Sequence, residues 1–287
     1  MRFHKIVVTF FTAFFLLATL GSFSLCAEEE LIKGKPTLPG KSCQTEPLPN
    51  WTPQEKWVWK QVCEGKIANF NKTEGYGGNL DPKKPEEWPE SRILTPVFLE
   101  TILLHEPFRG SLTRHGVRIV GAWFKDPIDL SNATLDHQLE LEDSRFDKDV
   151  DLGNLKTTYL ISLNRSKFNG TLIMDSLEVE SHLFMSGGAE FHEVDLRSAK
   201  IGGQIDMTGS KFTGTLVMGS LEVESGLFMR GGAEFHEVDL RSAKIGGQID
   251  MAGSKFTGTL VMDSLEVESH LFMSGGAEFH EVDLRSA

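Results

Sequence analysis

The chain has few cysteines and few basic side chains. Three of its 287 residues are cysteine, and 29 Lys and Arg stand against 41 Asp and Glu, which leaves a net charge of −12. It also has no nucleophile motif, no phosphate-binding loop after a strand and no cysteine–histidine metal cluster. These absences argue against nucleotide chemistry and against direct binding to nucleic acid or anionic lipid.

The N-terminus has the layout of a secretory signal peptide. Arg2 and Lys5 precede an apolar run over residues 6–20, and small residues follow near Ala27. We therefore predict a signal peptide over residues 1–27 and an exported protein of the bacterial periplasm or cell envelope.

Two alternatives for this segment remain open. Residues 6–25 are long enough, at about 20 residues, to stay uncut as a membrane anchor. Cys26 could instead carry a lipid, although Leu25 is larger than the small residue expected before a lipidated cysteine.

Export bears on the other two cysteines, Cys43 and Cys63. An oxidising compartment would let them pair, and two cysteines of this spacing make a poor metal site. We predict a disulfide; the alternative is two free thiols buried as small hydrophobic side chains.

From about Val117 onward the chain repeats. It can be written in steps of five or six residues with one apolar residue at each centre, and every fourth centre is of the same kind, about 22 residues on. The most regular of the four columns is Phe124, Phe146, Phe168, Phe191, Phe212, Phe235, Phe256 and Phe279. Four apolar centres per period predict a four-sided coil whose turns stack through backbone hydrogen bonds.

Two outward columns show that the full repeat is a pair of coils. The signs alternate in Lys167, Glu190, Lys211, Glu234, Lys255 and Glu278, and again in Lys156, Glu178, Lys200, Glu222, Lys244 and Glu266. An unchanged 22-residue repeat would stack like charges one strand apart. Alternation places opposite charges there, which stabilises the stack by about 0.2–1 kcal/mol per pair.

These residues resemble the pentapeptide-repeat family. Its loose A-(D/N)-L-x-x motif is similar to AEFHE at residues 189–193 and AKIGG at residues 199–203. The resemblance covers residues 117–287, about 60% of the chain, and implies a mainly β fold, a right-handed quadrilateral parallel β-helix. Steps of alternating length, and Ile, Leu or Val in place of the small residue on two sides, depart from the family pattern. A three-sided parallel β-helix is the structural alternative.

Residues 28–115 lack the repeat and hold four of the five tryptophans. Thr52 to Glu55 form a capping box that opens a helix ending at Gly65. A second helix is predicted from Thr95-Pro96, ending before Pro107. We expect this region to cap the first coil of the solenoid, since solenoids need their ends covered.

The predicted solenoid over residues 116–287 stops part-way through a coil. Because an open strand edge templates pairing, the expectation is either a longer protein or an end-to-end homodimer.

Three repeated sets of side chains invite a functional interpretation. They are His192, His236 and His280 with Glu193, Glu237 and Glu281; Asp129, Asp151, Asp195, Asp239 and Asp283; and the outward Phe184, Phe228 and Phe272. The histidines lie on alternate coils, about 10 Å apart, too far for one metal ion. A solvated aspartate column lacks the defined pair and raised pKa of a glycosidase. The phenylalanines are a candidate contact surface, or they only cover neighbouring side chains.

No catalytic, cofactor-binding or metal-binding residue is predicted. The glycine pairs Gly202-Gly203 and Gly231-Gly232 are expected at corners that need positive φ, not at a nucleotide site.

The functional hypothesis is an exported, non-enzymatic solenoid that acts as an envelope scaffold or as an interaction module for an unknown protein or glycan. One alternative is a carbohydrate-active β-helix enzyme, although near-identical coils make no unique site. Another, implied by the pentapeptide-repeat resemblance, is an acidic mimic of DNA if the chain is cytoplasmic.

Overall fold

The computed structural model describes residues 43–285, which belong to one compact unit. From residue 117 these residues form a mainly β, parallel solenoid of about eight coils, and a helical region precedes it, as predicted. The signal peptide predicted over residues 1–27 lies outside the described residues. Across residues 43–285, no helix is both long enough and apolar enough to span a bilayer.

The described N-terminal region contains three α-helices: α1 at Pro53–Cys63, α2 at Pro96–Leu104 and α3 at Phe108–Ser111. Helices α1 and α2 begin where the sequence predicts, with proline at the first position and a threonine cap. The short helix α3 was not predicted. Short 3-10 helices span Phe70–Lys72, Pro85–Glu87 and Glu90–Arg92.

One buried carboxylate caps both long helices. Glu55, which is 2% exposed, accepts the backbone N–H of Thr52 at 2.8 Å through Oε2. Its other oxygen, Oε1, accepts the N–H of Thr95 at 3.0 Å and the Thr95 hydroxyl at 2.6 Å. A negative charge is favourable at a helix N-terminus. The capping box was predicted within α1, but the bond to Thr95 joins residues 40 apart in sequence.

Within residues 43–285 the strands form three sheets, of nine, twelve and seven strands. In pairing order, sheet 1 comprises Ala68–Asn69, Val117–Val120, Leu139–Glu142, Ile161–Ser162, Leu183–Phe184, Ile205–Asp206, Leu227–Phe228, Ile249–Asp250 and Leu271–Phe272. Sheet 3 comprises Thr134–Leu135, Lys156–Thr157, Glu178–Val179, Lys200–Ile201, Glu222–Val223, Lys244–Ile245 and Glu266–Val267.

Sheet 2 contains two strand positions from each coil. The first is Trp123–Phe124, Arg145–Phe146, Lys167–Phe168 and Glu190–Phe191, and the second is Ile128–Asp129, Val150–Asp151, Thr171–Ile173 and Glu193–Asp195. In later coils the two positions join in one longer strand: Lys211–Val217, Glu234–Asp239, Lys255–Val261 and Glu278–Asp283. Each complete coil thus has four strand positions, in agreement with the four apolar columns of the sequence.

The phenylalanine column forms the centre of the core. From Phe124 to Phe279 each ring stacks on the next, with centroids 4.2–5.1 Å apart and planes within 8–19°. Small residues accompany the rings, and the buried serines among them satisfy their hydroxyls across coils: Ser166 Oγ donates to the Leu141 carbonyl at 2.9 Å. Large and small side chains therefore alternate in the core. The buried serine hydroxyls in these bonds have hydrogen-bond partners.

One corner of the coil uses left-handed backbone at residues other than glycine. The φ angles are 54–59° at Asn132, Asn154, Ser176, Ser198, Ser220, Ser242 and Ser264. Asparagine adopts left-handed φ more often than most residues, so it can indicate such a corner in a sequence, whereas serine does not.

The N-terminal region joins the first coil directly. Ala68–Asn69 pairs in parallel with Ile119–Val120, and α2 lies against the strands Ile128–Asp129 and Thr134–Leu135. The end of the solenoid that faces the helices is therefore covered by them and extended by one strand.

The segment of residues 76–92 lies against the solenoid and is held by Arg92. The buried Arg92 guanidinium donates to Asn71 Oδ1 at 2.7 Å and to the carbonyls of Tyr76 at 2.7 Å and Gly121 at 3.2 Å. Burial lowers the pKa of Arg92 to about 10. Further along, Lys83 Nζ lies 3.3 Å from a Glu190 carboxylate oxygen.

Replacing Glu55 tests the shared cap. The substitution Glu55→Gln should lower the free energy of unfolding by about 1–3 kcal/mol, since the amide turns an NH2 group toward N–H donors of α1 or α2. Urea unfolding followed by circular dichroism measures this, with the exposed Glu86→Gln as the matched control. Equal stability of the two variants would contradict the double-cap role.

Candidate contact surface

Alternating charges cover sheets 2 and 3. The strand registers place Lys and Glu directly opposite on successive coils, which confirms the predicted 44-residue unit. The Nζ–carboxylate distances are 3.1 Å for Lys167–Glu190, 2.8 Å for Lys211–Glu234, 3.6 Å for Lys255–Glu278, 3.0 Å for Lys156–Glu178, 3.6 Å for Lys200–Glu222 and 4.0 Å for Lys244–Glu266. These two columns are locally neutral and repetitive.

The outer face of sheet 1 carries aromatic rings instead. On successive strands its central outward residues are Phe184, Asp206, Phe228, Asp250 and Phe272, paired in that order. We call these five residues the Phe/Asp column. Phe184 and Phe228 are half-buried, and Phe272 is 39% exposed. The structure thus places the predicted contact residues on one face, two strands apart.

The three rings differ in what surrounds them. Arg230 lies over the Phe228 ring, 4.7 Å from its centroid, and its Nη1 is 2.8 Å from Asp250 Oδ2. Beside Phe184 lies His182, with ring centroids 5.5 Å apart and planes tilted by 35°, and His270 lies 5.6 Å from Phe272 with planes within 18°. These contacts fix the ring orientations, and they are the details in which otherwise near-identical coils differ.

A pair of carboxylates lies on the same face, nearer the helices. Glu140 and Glu142 point outward from the strand Leu139–Glu142. Burial, with Glu142 adding to it, raises the pKa of Glu140, whose carboxylate accepts a hydrogen bond from Gln138 Nε2 at 2.7 Å. Glu142 instead accepts from Arg165 Nη2 at 2.6 Å. Sequence reasoning missed this pair, although two acids at alternate positions of one strand were the available signal.

The repeated histidines have ordinary surface contacts. His192 Nδ1 lies 3.4 Å from Thr213 Oγ1, and His236 makes the same contact with Thr257. Among residues 43–285, no three His, Cys, Asp or Glu side chains are placed to hold a metal ion.

The aspartate column is divided between two environments. Asp129 and Asp151 are opposite each other on neighbouring strands, whereas the others alternate with Ile or Val and pair with the arginine two residues on: Asp195–Arg197, Asp239–Arg241 and Asp283–Arg285. The hydrogen bond from Arg241 lowers the pKa of Asp239. This shift is opposite to the one a general acid needs.

The prediction of positive φ was right for one glycine pair and wrong for the other. Gly231 and Gly232 have φ of 68° and 79°, but Gly202 and Gly203 do not lie in the left-handed region. A Cβ at Gly202 would lie 2.5 Å from the carbonyl oxygen of Glu180. Positions 202 and 203 are therefore glycine because the backbone of the neighbouring coil approaches them closely.

Cys43 and Cys63 form the predicted disulfide, with Cα atoms 5.3 Å apart. The bond ties the segment before α1 to the last residue of that helix.

Comparison of the chain with family models, with curated proteins and with solved structures finds no match. The parallel solenoid with coils of about 22 residues is observed, and membership of the pentapeptide-repeat family stays a prediction.

Reversing one charge tests the alternation. Lys211→Glu should lower the free energy of unfolding by roughly 1 kcal/mol, because three carboxylates would then follow one another across Glu190, position 211 and Glu234. Urea unfolding at low and high salt measures the effect, with Lys211→Gln as the control. A destabilisation that persists unchanged at 1 M salt would rule out charge repulsion as its cause.

Proposed function

We propose that this chain is an exported, non-enzymatic solenoid that serves as a rigid scaffold or interaction module of the cell envelope. The observation that carries the proposal is the recurrence of the same outward residues on every second strand, as in the two charged columns and the Phe/Asp column. Such repetition supplies many equivalent positions along one axis, which suits an extended contact with a partner.

Rigidity is supported by the way successive coils are joined. Each coil pairs with the next at all four strand positions, and the Phe column stacks continuously from Phe124 to Phe279. A bend at one coil would have to break several ladders of hydrogen bonds and an aromatic contact together.

The disulfide supports the exported location. Such bonds persist in oxidising compartments and are rare in the reducing cytosol, and Cys43–Cys63 accompanies a sequence with a signal-peptide layout. Mimicry of DNA is less well supported, because lysines neutralise alternate positions of the two charged columns, whereas a DNA backbone presents uniform negative charge.

Fractionation of cells expressing the full chain tests the proposal. We expect an envelope or secreted product, with its N-terminus near residue 28 by mass and with Cys43 and Cys63 oxidised. Uncut, cytosolic and reduced protein would contradict the proposal and make DNA mimicry the next hypothesis to test.

A second candidate, a carbohydrate-active enzyme, is favoured by one observation. Glu140 has a raised pKa while the neighbouring Glu142 is held by Arg165, and two carboxyl groups of unlike environment are the usual acid and base of glycoside hydrolysis. The pair lies on the same face as the Phe/Asp column.

Reducing-sugar release from soluble β-linked polysaccharides tests this candidate. If the chain is such an enzyme, Glu140→Gln should reduce the rate by about 100-fold or more, and the exposed Glu180→Gln should leave it unchanged. No release by the wild-type protein, or equal release by Glu140→Gln, would count against the enzyme.

A further inference from the structure

The Phe/Asp column already contains one filled cation site. Arg230 stacks on Phe228 at 4.7 Å and pairs with Asp250 at 2.8 Å. One guanidinium therefore makes a cation–π contact and a charge-assisted hydrogen bond at once. The ring and the carboxylate come from neighbouring strands, where Phe228 and Asp250 are directly opposite each other.

The same pair occurs two coils earlier without the arginine. Phe184 and Asp206 are opposite each other in the register of Phe228 and Asp250. The residue that corresponds to Arg230 is Ser186, and its hydroxyl donates to Asn164 Oδ1 at 2.9 Å, on the preceding coil. Ser186 is too short to supply a cation, and it is bonded away from the pair.

Asp206 is not paired with a basic side chain in the part of the chain that the structure describes. Within residues 43–285 its carboxylate forms no ion pair, and Oδ1 accepts the backbone N–H of Thr208 at 2.9 Å. His182, which lies beside the Phe184 ring, corresponds to Gly226 of the filled site. Its Nδ1 accepts the N–H of Gln204 at 3.0 Å, so this nitrogen has no proton to offer to Asp206.

We infer that Phe184 and Asp206 form a binding site for a guanidinium group, and that its occupant is an arginine side chain of a basic protein segment. The filled site at Phe228 shows that a Phe and an Asp in this register can hold a guanidinium group between them. The planar guanidinium suits this site better than an ammonium, because it stacks on a ring while donating in its own plane.

Charge complementarity favours a basic partner. The chain has a net charge of −12, and Glu140 lies on the same face, two strands before Phe184. An acidic surface accelerates the approach of a basic segment, and a single desolvated arginine then specifies where it docks. This inference rests on the proposed function, since it names the partner of the interaction module.

The repeat offers matched variants for the test. Purified full-length protein is titrated with N-acetyl-arginine amide, and binding is followed by the NMR shifts of the backbone amides. We expect the amide signals of Asp206 and Thr208 to move. The neutral isostere N-acetyl-citrulline amide should not move them. Asp206→Asn should weaken arginine binding roughly fivefold or more. Ser186→Arg should fill the site from within the chain and abolish binding.

The complementary variant creates a site. Arg230→Ser leaves Phe228 and Asp250 in place, so arginine amide should now also perturb Asp250 and Ala252, and the stoichiometry should rise from one to two. A loss of stability would not produce this gain of binding, and the amide spectra report directly whether each variant is folded.

Three results would overturn the inference: equal binding of citrulline amide, no loss of binding in Ser186→Arg, or no second site in Arg230→Ser. A chitosan oligomer that binds more tightly than an arginine peptide of equal charge would reassign the occupant to a cationic glycan. Because the titration uses purified protein, its failure would leave the exported location to be decided by fractionation alone.

Discussion

Parallel, in-register pairing of each strand with the strand about 22 residues on is the interaction on which the rest of the structure depends. It places the same kind of side chain above itself at every coil, so inward positions become continuous ladders such as the stacked phenylalanines from Phe124 to Phe279. The same pairing governs the surface. Like charges would be one strand spacing apart if the coils were identical, and the alternation of Lys211 with Glu234 avoids this repulsion.

A repeated surface acquires specific chemistry where one copy differs from the next. Arg230 and Ser186 occupy corresponding positions of two near-identical coil pairs, as do Gly226 and His182. Arg230 fills the pair of Phe228 and Asp250, whereas Ser186 is bonded to Asn164 and supplies no cation to Phe184 and Asp206. Glu140 and Glu142 belong to a coil outside the near-identical duplication, and their unlike environments again set this part of the face apart from the others. The candidate sites of this chain therefore lie where corresponding residues of different coils are not the same.

The helical region shows how far local sequence signals reach. The capping box of α1 and the threonine cap of α2 are recognisable from residues three apart, and both helices begin as predicted. The carboxylate that joins the two caps is not recognisable in this way, since Glu55 and Thr95 are distant in sequence. The same holds for Arg92, whose partners Tyr76 and Gly121 belong to a loop and to the first coil.

Spacing along the chain is enough to predict the period of the coil, the four inward columns, the sign of each outward column and the starts of α1 and α2. The contacts that form between coils become visible in the folded molecule alone. There, Gly202 is glycine because Glu180 lies close by, and Arg230 reaches both Phe228 and Asp250. Such contacts depend on distances across the strand spacing and on side-chain direction, which periodicity does not specify.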